Sequence, residues 1–504
     1  MPDVVLAIDQ GTTGSTALVV AADGAVLGRA AAEITQHYPE TGWVEHDPEE
    51  IWRTSLAVMG EALDAASVLP DRLLAIGIAN QRETTVVWER ASGRPLHPAI
   101  VWQSRQTAAI CEELRADGLE PLIRERTGLM ADPYFSGSKL RWILDRYPGA
   151  RERARAGELL FGTVDSWLLF RLTGGEVHAT DPTNASRTLL YDIGRRRWDP
   201  ELLEIFGVPE AMLPEVRPSS GVFGVTRPQQ GVAGGVPVAG IAGDQQAALF
   251  GQGCWRPGGI KNTYGTGCFV MLNTGRNLRR SASGLLTTVC CDERGGVAYA
   301  LEGSVFIAGA AVQWLRDELG LIGSAAETEV VGARVKDTRG VYVVPAFVGL
   351  GAPYWDMHAR GAILGLTRGS GRKEIIRATL DSIAYQTRDV IDAMNREAGV
   401  AVSELRVDGG AAANNVLMQF QADILGIPVI RPRVVETTAV GAAYLAGLAT
   451  GLWSGPGEIE SILHENRVFK PQMGEAERER LFAGWTRAIE TVRGASGAGG
   501  GGES

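Results

Sequence analysis

The chain is expected to be an α/β protein whose two halves repeat one local grammar around a cleft. Three observations predict this. Apolar runs of strand length alternate with amphipathic helical stretches. A glycine-rich strand–turn–strand unit stands near the start, at residues 4–21, and again at residues 260–273. The 504 residues suffice for two or more domains, and 45% hydrophobic with 21% charged residues is ordinary for a soluble globular protein.

The elements follow in order. Residues 4–8 are an apolar run, Gly11-Thr12-Thr13-Gly14 supplies a turn, and residues 17–21 return. Asp23-Gly24 turns again and residues 26–33 complete a β-meander. Asp47 as N-cap, Pro48 at the first helical position and Glu50 at the third open a helix. Residues 73–79 and 84–88 are further strands. After Gly251, residues 260–267 and 269–273 read as strand, glycine turn and strand. Residues 373–395 place Ile376, Leu380, Ile383, Val390, Ile391 and Met394 near one helical face, and Gly399 is the stop. Residues 405–407, Asp408-Gly409-Gly410, a helix over 415–425 and residues 428–430 make a strand–loop–helix–strand unit. The boundary falls near Gly251, giving domains over 1–250 and 251–493. Residues 494–504, almost all Gly, Ala and Ser, read as a flexible tail. Residues 437–457 carry no charge, but Gly and Ala dominate rather than Leu and Ile. They read as a buried helix of small residues ended by Pro456, not as a membrane span.

Composition excludes several classes. A net charge of −10, from 59 acidic and 49 basic residues, argues against nucleic acid or an anionic membrane surface as the main partner. The five cysteines form no C-x-x-C pair and fit a reducing compartment. The N-terminus lacks the basic and apolar regions of a signal peptide, so a cytoplasmic protein is expected. The six histidines are dispersed, no metal cluster or Ser/His/Asp order is evident, and no P-loop or dinucleotide fingerprint occurs.

Five polar constellations remain. Asp9-Gln10-Gly11-Thr12-Thr13 puts an acid, a glycine and two hydroxyls in a tight turn. It reads as a plain hairpin turn or as a phosphate cradle whose carboxylate reaches Mg²⁺. Asn262-Thr263-Tyr264-Gly265-Thr266-Gly267 is a second glycine turn, able to hold another part of a polyphosphate. Asp408-Gly409-Gly410, running on to Asn414, lets a ligand approach the backbone at a helix start, or simply turns the chain. Asp244, between an apolar strand and a small-residue helix, can accept a proton from a substrate hydroxyl or cap the helix. Asn80-Gln81-Arg82-Glu83 beyond a buried strand can serve a polyol or be a solvated turn. Trp102 and Tyr134 in polar contexts suit an aromatic wall, or the core.

Together these stretches resemble the FGGY carbohydrate kinases. The similarity runs from about Val4 to Trp485. It is carried by Asp9-Gln-Gly-Thr-Thr13, Gly77-Ile-Ala-Asn-Gln-Arg-Glu-Thr-Thr85, Asp132-Pro-Tyr-Phe-Ser-Gly137, Asp181-Pro-Thr-Asn-Ala-Ser-Arg187, Gly243-Asp-Gln-Gln-Ala-Ala-Leu-Phe-Gly251 and Asn262-Thr-Tyr-Gly-Thr-Gly-Cys-Phe269, among other blocks in the same order. The resemblance implies two actin-like ATPase domains, ribonuclease H-like, flanking a central cleft that binds ATP. It implies phosphoryl transfer from ATP with Mg²⁺ to a terminal hydroxyl of glycerol. It gives Asp244 as catalytic base, with Arg82, Glu83, Tyr134, Asp244 and Gln245 binding the polyol and Trp102 and Phe269 as its apolar walls. Asp9 is the Mg²⁺-linked carboxylate. Thr12, Thr13, Gly14, Thr266, Gly309, Gln313, Gly410 and Asn414 are the nucleotide contacts. A homodimer or homotetramer is implied. The alternative on the same fold is a kinase for another polyol or a ketose such as xylulose.

Two departures stand out. Position 14 is Gly where many relatives have Ser, and position 16 is Thr where many have an Arg that helps hold nucleotide phosphates. Some relatives are inhibited by fructose 1,6-bisphosphate through an Arg-bearing loop, or activated by phosphorylation of a His. Here residues 229–235 carry no basic side chain and no His lies between His178 and His358, so neither control is expected.

Overall fold

The computed structural model describes residues 3–68, 72–229, 231–463 and 465–498. Two mixed sheets organise them. The first is ordered Ser220–Val225, Pro237–Gly243, Leu73–Asn80, Val4–Gln10, Gly14–Ala21, Val26–Glu33. The second is ordered Leu286–Cys291, Val297–Val305, Cys268–Gly275, Ile260–Tyr264, Leu405–Asp408, Val429–Pro432, Glu465–Phe469. The first begins with an antiparallel three-strand meander and the second with four antiparallel strands, and both continue through two parallel pairings to an antiparallel edge. The repeated grammar read from the sequence is thus a repeated topology. The turn Gly11–Gly14 and the turn Gly265–Gly267 stand at the same place in the two sheets.

Local chemistry explains most boundaries. Asp47 accepts the Glu49 backbone N–H at 2.9 Å and opens the helix Pro48–Ala66. Glu50 does not close a capping box; it accepts the Thr35 backbone and hydroxyl groups at 3.1 and 2.9 Å, tying the helix to the chain before it. The long helix runs Arg372–Ala398, a little beyond 373–395, and Gly399 ends it in the left-handed region at φ 65°. The strand placed over 84–88 is Val86–Glu89. The first strand after Gly251 ends at Tyr264 rather than 267, because Gly265 and Thr266 dock on the next helix. Residues 494–498 belong to the final helix Glu475–Ala498, which correctively shortens the expected tail; residues 499–504 lie outside the described residues.

The uncharged stretch 437–457 is the helix Thr437–Thr450, stopped by Gly451, and Pro456 begins the next helix rather than ending this one. Its burial comes from a return across the molecule. After the second sheet is largely built, the chain packs this helix on the first sheet, joining Val5, Ala7, Ala75 and Ala239 in one core. The approach is backbone to backbone: a Cβ on Gly77 would overlap the Ala442 carbonyl, and one on Gly240 would lie 2.5 Å from the Ala446 nitrogen. The same helix crosses the helix Asp244–Gly251, where a Cβ on Gly441 would overlap the Ala247 carbonyl oxygen. Division of the chain at Gly251 therefore leaves 437–450 packed on the first half. Among the described residues no helix is long and apolar enough to cross a membrane.

Candidate active site

The site gathers at strand ends of both sheets. Arg82 and Glu83 follow the strand Leu73–Asn80 and are 2% and 1% exposed. Glu83 sits in the left-handed region at φ 62°, a conformation that costs a non-glycine residue energy and that clusters at functional sites. Asp244 is the first residue of the helix Asp244–Gly251, with its side chain 27% exposed. The preceding Gly243 N–H donates to the Thr183 hydroxyl at 2.8 Å, which anchors this strand end to the segment around Asp181.

A buried chain of alternating charges holds the groups in place. Arg82 Nη1 donates to Glu302 at 2.6 Å and Nη2 to its other oxygen at 3.2 Å. Arg187 Nε donates to Glu83 at 2.6 Å and Nη2 to Glu302 at 3.0 Å. Arg82 Nε lies 3.3 Å from Asp244 Oδ1, and Nη2 donates to the Tyr134 hydroxyl at 3.5 Å. Despite full burial, the two guanidinium groups hold the Glu302 carboxyl down at about 2, whereas burial outweighs the same partners at Glu83 and raises it. Asp244 Oδ1 also accepts the Gln245 backbone N–H at 2.7 Å, and Oδ2 accepts its side-chain amide at 3.3 Å. Of the carboxylates Glu83, Glu302 and Asp244 around Arg82, Asp244 is the one that reaches solvent.

The aromatic walls stand beside it. Trp102 meets Tyr134 edge-on at 5.4 Å between ring centroids and Phe269 at 6.3 Å. The Trp102 indole donates to the Thr12 hydroxyl at 2.7 Å, so one wall is tied to the first glycine turn. Tyr134 is carried on a turn held by Lys139, whose buried ammonium donates to the carbonyls of Pro133, Tyr134 and Phe135 at 2.6, 2.6 and 3.1 Å. Burial brings Lys139 down to about 7.

On the other side lie exposed turns and helix starts. Thr13, Thr266, Gln313 and Gly410 are exposed, while Thr12, Gly14, Gly309 and Asn414 are half-buried. The Gly309 N–H donates to the Gly265 carbonyl at 3.0 Å, and the Ala308 N–H to the Thr266 carbonyl at 2.9 Å, joining the second turn to the helix Gly309–Asp317. Gly409, at φ 84°, is required: a Cβ there would stand 2.5 Å from the Tyr264 carbonyl oxygen. Gly410 faces open space.

Three carboxylates converge between these sides. Burial, then Asp244 and Asp408, push Asp9 up to about 8. Asp408 Oδ2 accepts from Gln252 at 2.8 Å and from the Thr437 hydroxyl, but its buried Oδ1 has no hydrogen-bond partner. An orphaned carboxylate oxygen beside other acids suits a hard cation, though among the described residues no group of three ligating side chains is placed to hold one.

The structure therefore brings Arg82, Glu83, Trp102, Tyr134, Asp244 and Phe269 together. Gln245 is different: its amide oxygen accepts from the buried Lys261 ammonium while its N–H groups serve Asp244, so it orients the acid instead of presenting a free polar edge. Asn414 caps the helix Asn415–Leu425 through the Leu417 N–H at 3.0 Å and donates to Thr328. Arg187, Glu302, Lys261 and Lys139 were not anticipated. Glu302 carries a sequence signal, a lone charge closing the apolar run Ala298-Tyr-Ala-Leu; Arg187, Lys261 and Lys139 stand among polar residues and carry none.

The chain resembles known proteins over nearly its whole length. The model for the FGGY family of carbohydrate kinases, N-terminal domain, matches residues 4–251, and its C-terminal domain matches 260–450. The chain is 61% identical over 491 residues to "Glycerol kinase 2" of Pseudomonas aeruginosa, covering 97% of each. It is 58% identical to "Glycerol kinase" of Carboxydothermus hydrogenoformans, covering 97% of this chain and 98% of that protein. The crystal structure of Plasmodium falciparum glycerol kinase with ADP superposes with a TM-score of 0.92 at 34% identity, covering 97% of this chain and 98% of that one.

Proposed function

The chain belongs to the FGGY family of carbohydrate kinases, and from that premise we propose that it transfers the γ-phosphate of ATP to a terminal hydroxyl of glycerol, giving sn-glycerol 3-phosphate and ADP. The observation that carries the reading is the small box of Trp102, Tyr134 and Phe269 beside Arg82 and its partly exposed partner carboxylate, Asp244. Glycerol is small and uncharged, so its binding rests on directed hydrogen bonds and flat apolar faces. The buried donors and acceptors would be left unpaired by an analogue lacking a hydroxyl, which makes the pocket selective.

In this reading Asp244 accepts the proton of the attacking hydroxyl while the Gln245 N–H groups fix its orientation. Arg82 and Tyr134 orient the polyol. Backbone and hydroxyl groups of Thr12, Thr13, Gly14, Thr266, Gly309, Gly410 and Asn414, with Gln313, serve the nucleotide. Asp9, supported by Asp408, would hold Mg²⁺, which when bound supplies charge stabilisation to the phosphates. A cytoplasmic homodimer or homotetramer is part of the same proposal.

The test is ADP release by the purified protein with Mg²⁺ and ATP, without acceptor and with glycerol, D-xylulose or L-ribulose. A large increase with glycerol alone is expected. An increase with a ketose instead overturns the substrate assignment, and an ATPase indifferent to all of them overturns the kinase reading.

A further inference from the structure

Arg82 and Glu302 lie 220 positions apart in the chain, one just beyond a strand of the first sheet and the other within a strand of the second. The carboxylate comes from the strand Val297–Val305 of the second sheet, while the groups it holds stand at the end of the first. It is 0% exposed and grips Arg82 through both oxygens, at 2.6 and 3.2 Å, and takes Arg187 at 3.0 Å on one of them. Arg187 in turn grips Glu83.

The surrounding seam is closely fitted. The Gln246 amide donates to the Val289 carbonyl at 3.0 Å, Ser186 and Thr288 share a hydroxyl contact at 3.2 Å, and the Tyr299 hydroxyl donates to the Ile193 carbonyl at 2.9 Å. Glu302 is therefore part of a fixed join between the sheets.

We infer that Glu302 is a positioning residue for the polyol pocket, a carboxylate lent by the second sheet that sets the orientation of Arg82 and keeps its terminal nitrogens from closing on Asp244. This rests on the glycerol reading above. The charge arithmetic explains the effect. Arg82 Nε already pairs with Asp244 at 3.3 Å, and the two terminal nitrogens stay off that carboxylate because Glu302 takes both. With an amide at 302, the remaining acidic neighbours are Asp244 and Glu83, the latter already bound by Arg187. Arg82 then swings to Asp244, removing both a polyol donor and a free proton acceptor.

The test is steady-state kinetics of Glu302→Gln and Glu302→Asp beside the wild type, varying glycerol and ATP separately. For Glu302→Gln the glycerol KM is expected to rise and kcat to fall, with kcat/KM for glycerol lower by about 10- to 100-fold, the size of a lost charge-assisted hydrogen bond. The KM for ATP and the glycerol-independent ATP hydrolysis are expected to stay within about twofold. Glu302→Asp keeps the charge, so it retains a folded seam, but it is too short to hold both guanidinium groups. Its glycerol KM is expected to rise while kcat stays nearer the wild type. Wild-type glycerol KM in Glu302→Asp, or equal rises in both KM values in either variant, overturns the inference. A wild-type enzyme not stimulated by glycerol would instead refute the function proposed above.

Discussion

Replacing Asp244 by Asn tests the chemistry most directly, because the change is isosteric. The amide oxygen can keep the Gln245 backbone bond, 2.7 Å in the wild type, and still face Arg82 Nε, 3.3 Å away. Arg82 retains its bidentate partner Glu302, so the buried charge chain survives. With the Asp244 side chain 27% exposed, losing its charge costs at most about 1 kcal/mol of stability, and relief of the repulsion on Asp9 offsets part of that. What disappears is the proton acceptor. A general base contributes ~10²–10⁴ in rate, or about 2.7–5.5 kcal/mol of transition-state stabilisation. The expected outcome is a fall in kcat of that size with the glycerol KM changed by about threefold or less. The assays are coupled ADP release, calorimetric binding of glycerol to the variant, and thermal melting to verify the fold. Turnover within about tenfold of wild type removes Asp244 from the base role. A raised KM with unchanged kcat makes it a binding residue only.

Three other outcomes are expected. Gly410→Ala adds a methyl group into open space, so melting should be unchanged, while the KM for ATP rises if the nucleotide approaches this backbone; an unchanged ATP KM removes Gly410 from the contact set. Gly441→Ala forces a Cβ against the Ala247 carbonyl where two helices cross, and should cost about 1–3 kcal/mol of stability in denaturant titration. Asp389 is buried, accepts the Trp485 indole N–H at 2.8 Å and is pushed up to about 7 by that burial. Its folded value lies above the unfolded one, so its stabilising contribution is full below about pH 4 and is lost as pH rises through about 7. Asp389→Asn should flatten the fall in melting temperature across that window, and a slope identical to wild type refutes the assignment.

Features governed by neighbours in sequence were legible before the structure. Asp47 and Pro48 open a helix because capping is local, and Gly399 ends one because its φ is positive. Arg82, Glu83 and Asp244 were visible as polar groups just beyond apolar strands. Features set by distant neighbours were not. Glu50 looked like half of a capping box and instead bonds Thr35. The small residues of Thr437–Thr450 announced close packing, but not that the partners would be Gly77, Gly240 and the helix ending at Gly251. Glu302 is one acid in an apolar strand, and nothing local says that it meets two arginines from the first half of the chain.

The two sides of the site also differ in a way that follows from what each would hold. On the polyol side Arg82, Glu83, Arg187 and Glu302 are almost wholly buried and pair with one another, leaving Arg187 Nη1 without a hydrogen-bond partner. Charges placed there gain strength from the low surrounding dielectric, and a missing ligand hydroxyl is felt as an unpaired group. On the nucleotide side Thr13, Thr266 and Gly410 are exposed, and the donors are backbone amides and hydroxyls that need no counter-charge. A polyphosphate carries its own charge and hydration, so a solvent-facing cradle suffices for it, whereas a neutral triol offers nothing but the geometry of its hydroxyls. Burying four charged side chains is costly unless each is paired. That cost is met by a join between two sheets, where strands from both sides can bring opposite charges to one point. The strain of Glu83 at φ 62° fits the same logic: its backbone bends out of the strand so that its carboxylate reaches Arg187 and its carbonyl takes the Ser136 hydroxyl at 2.9 Å. On the proposed reading, selectivity for the acceptor falls to these buried, mutually bonded charges, and the exposed turns are left to receive the nucleotide.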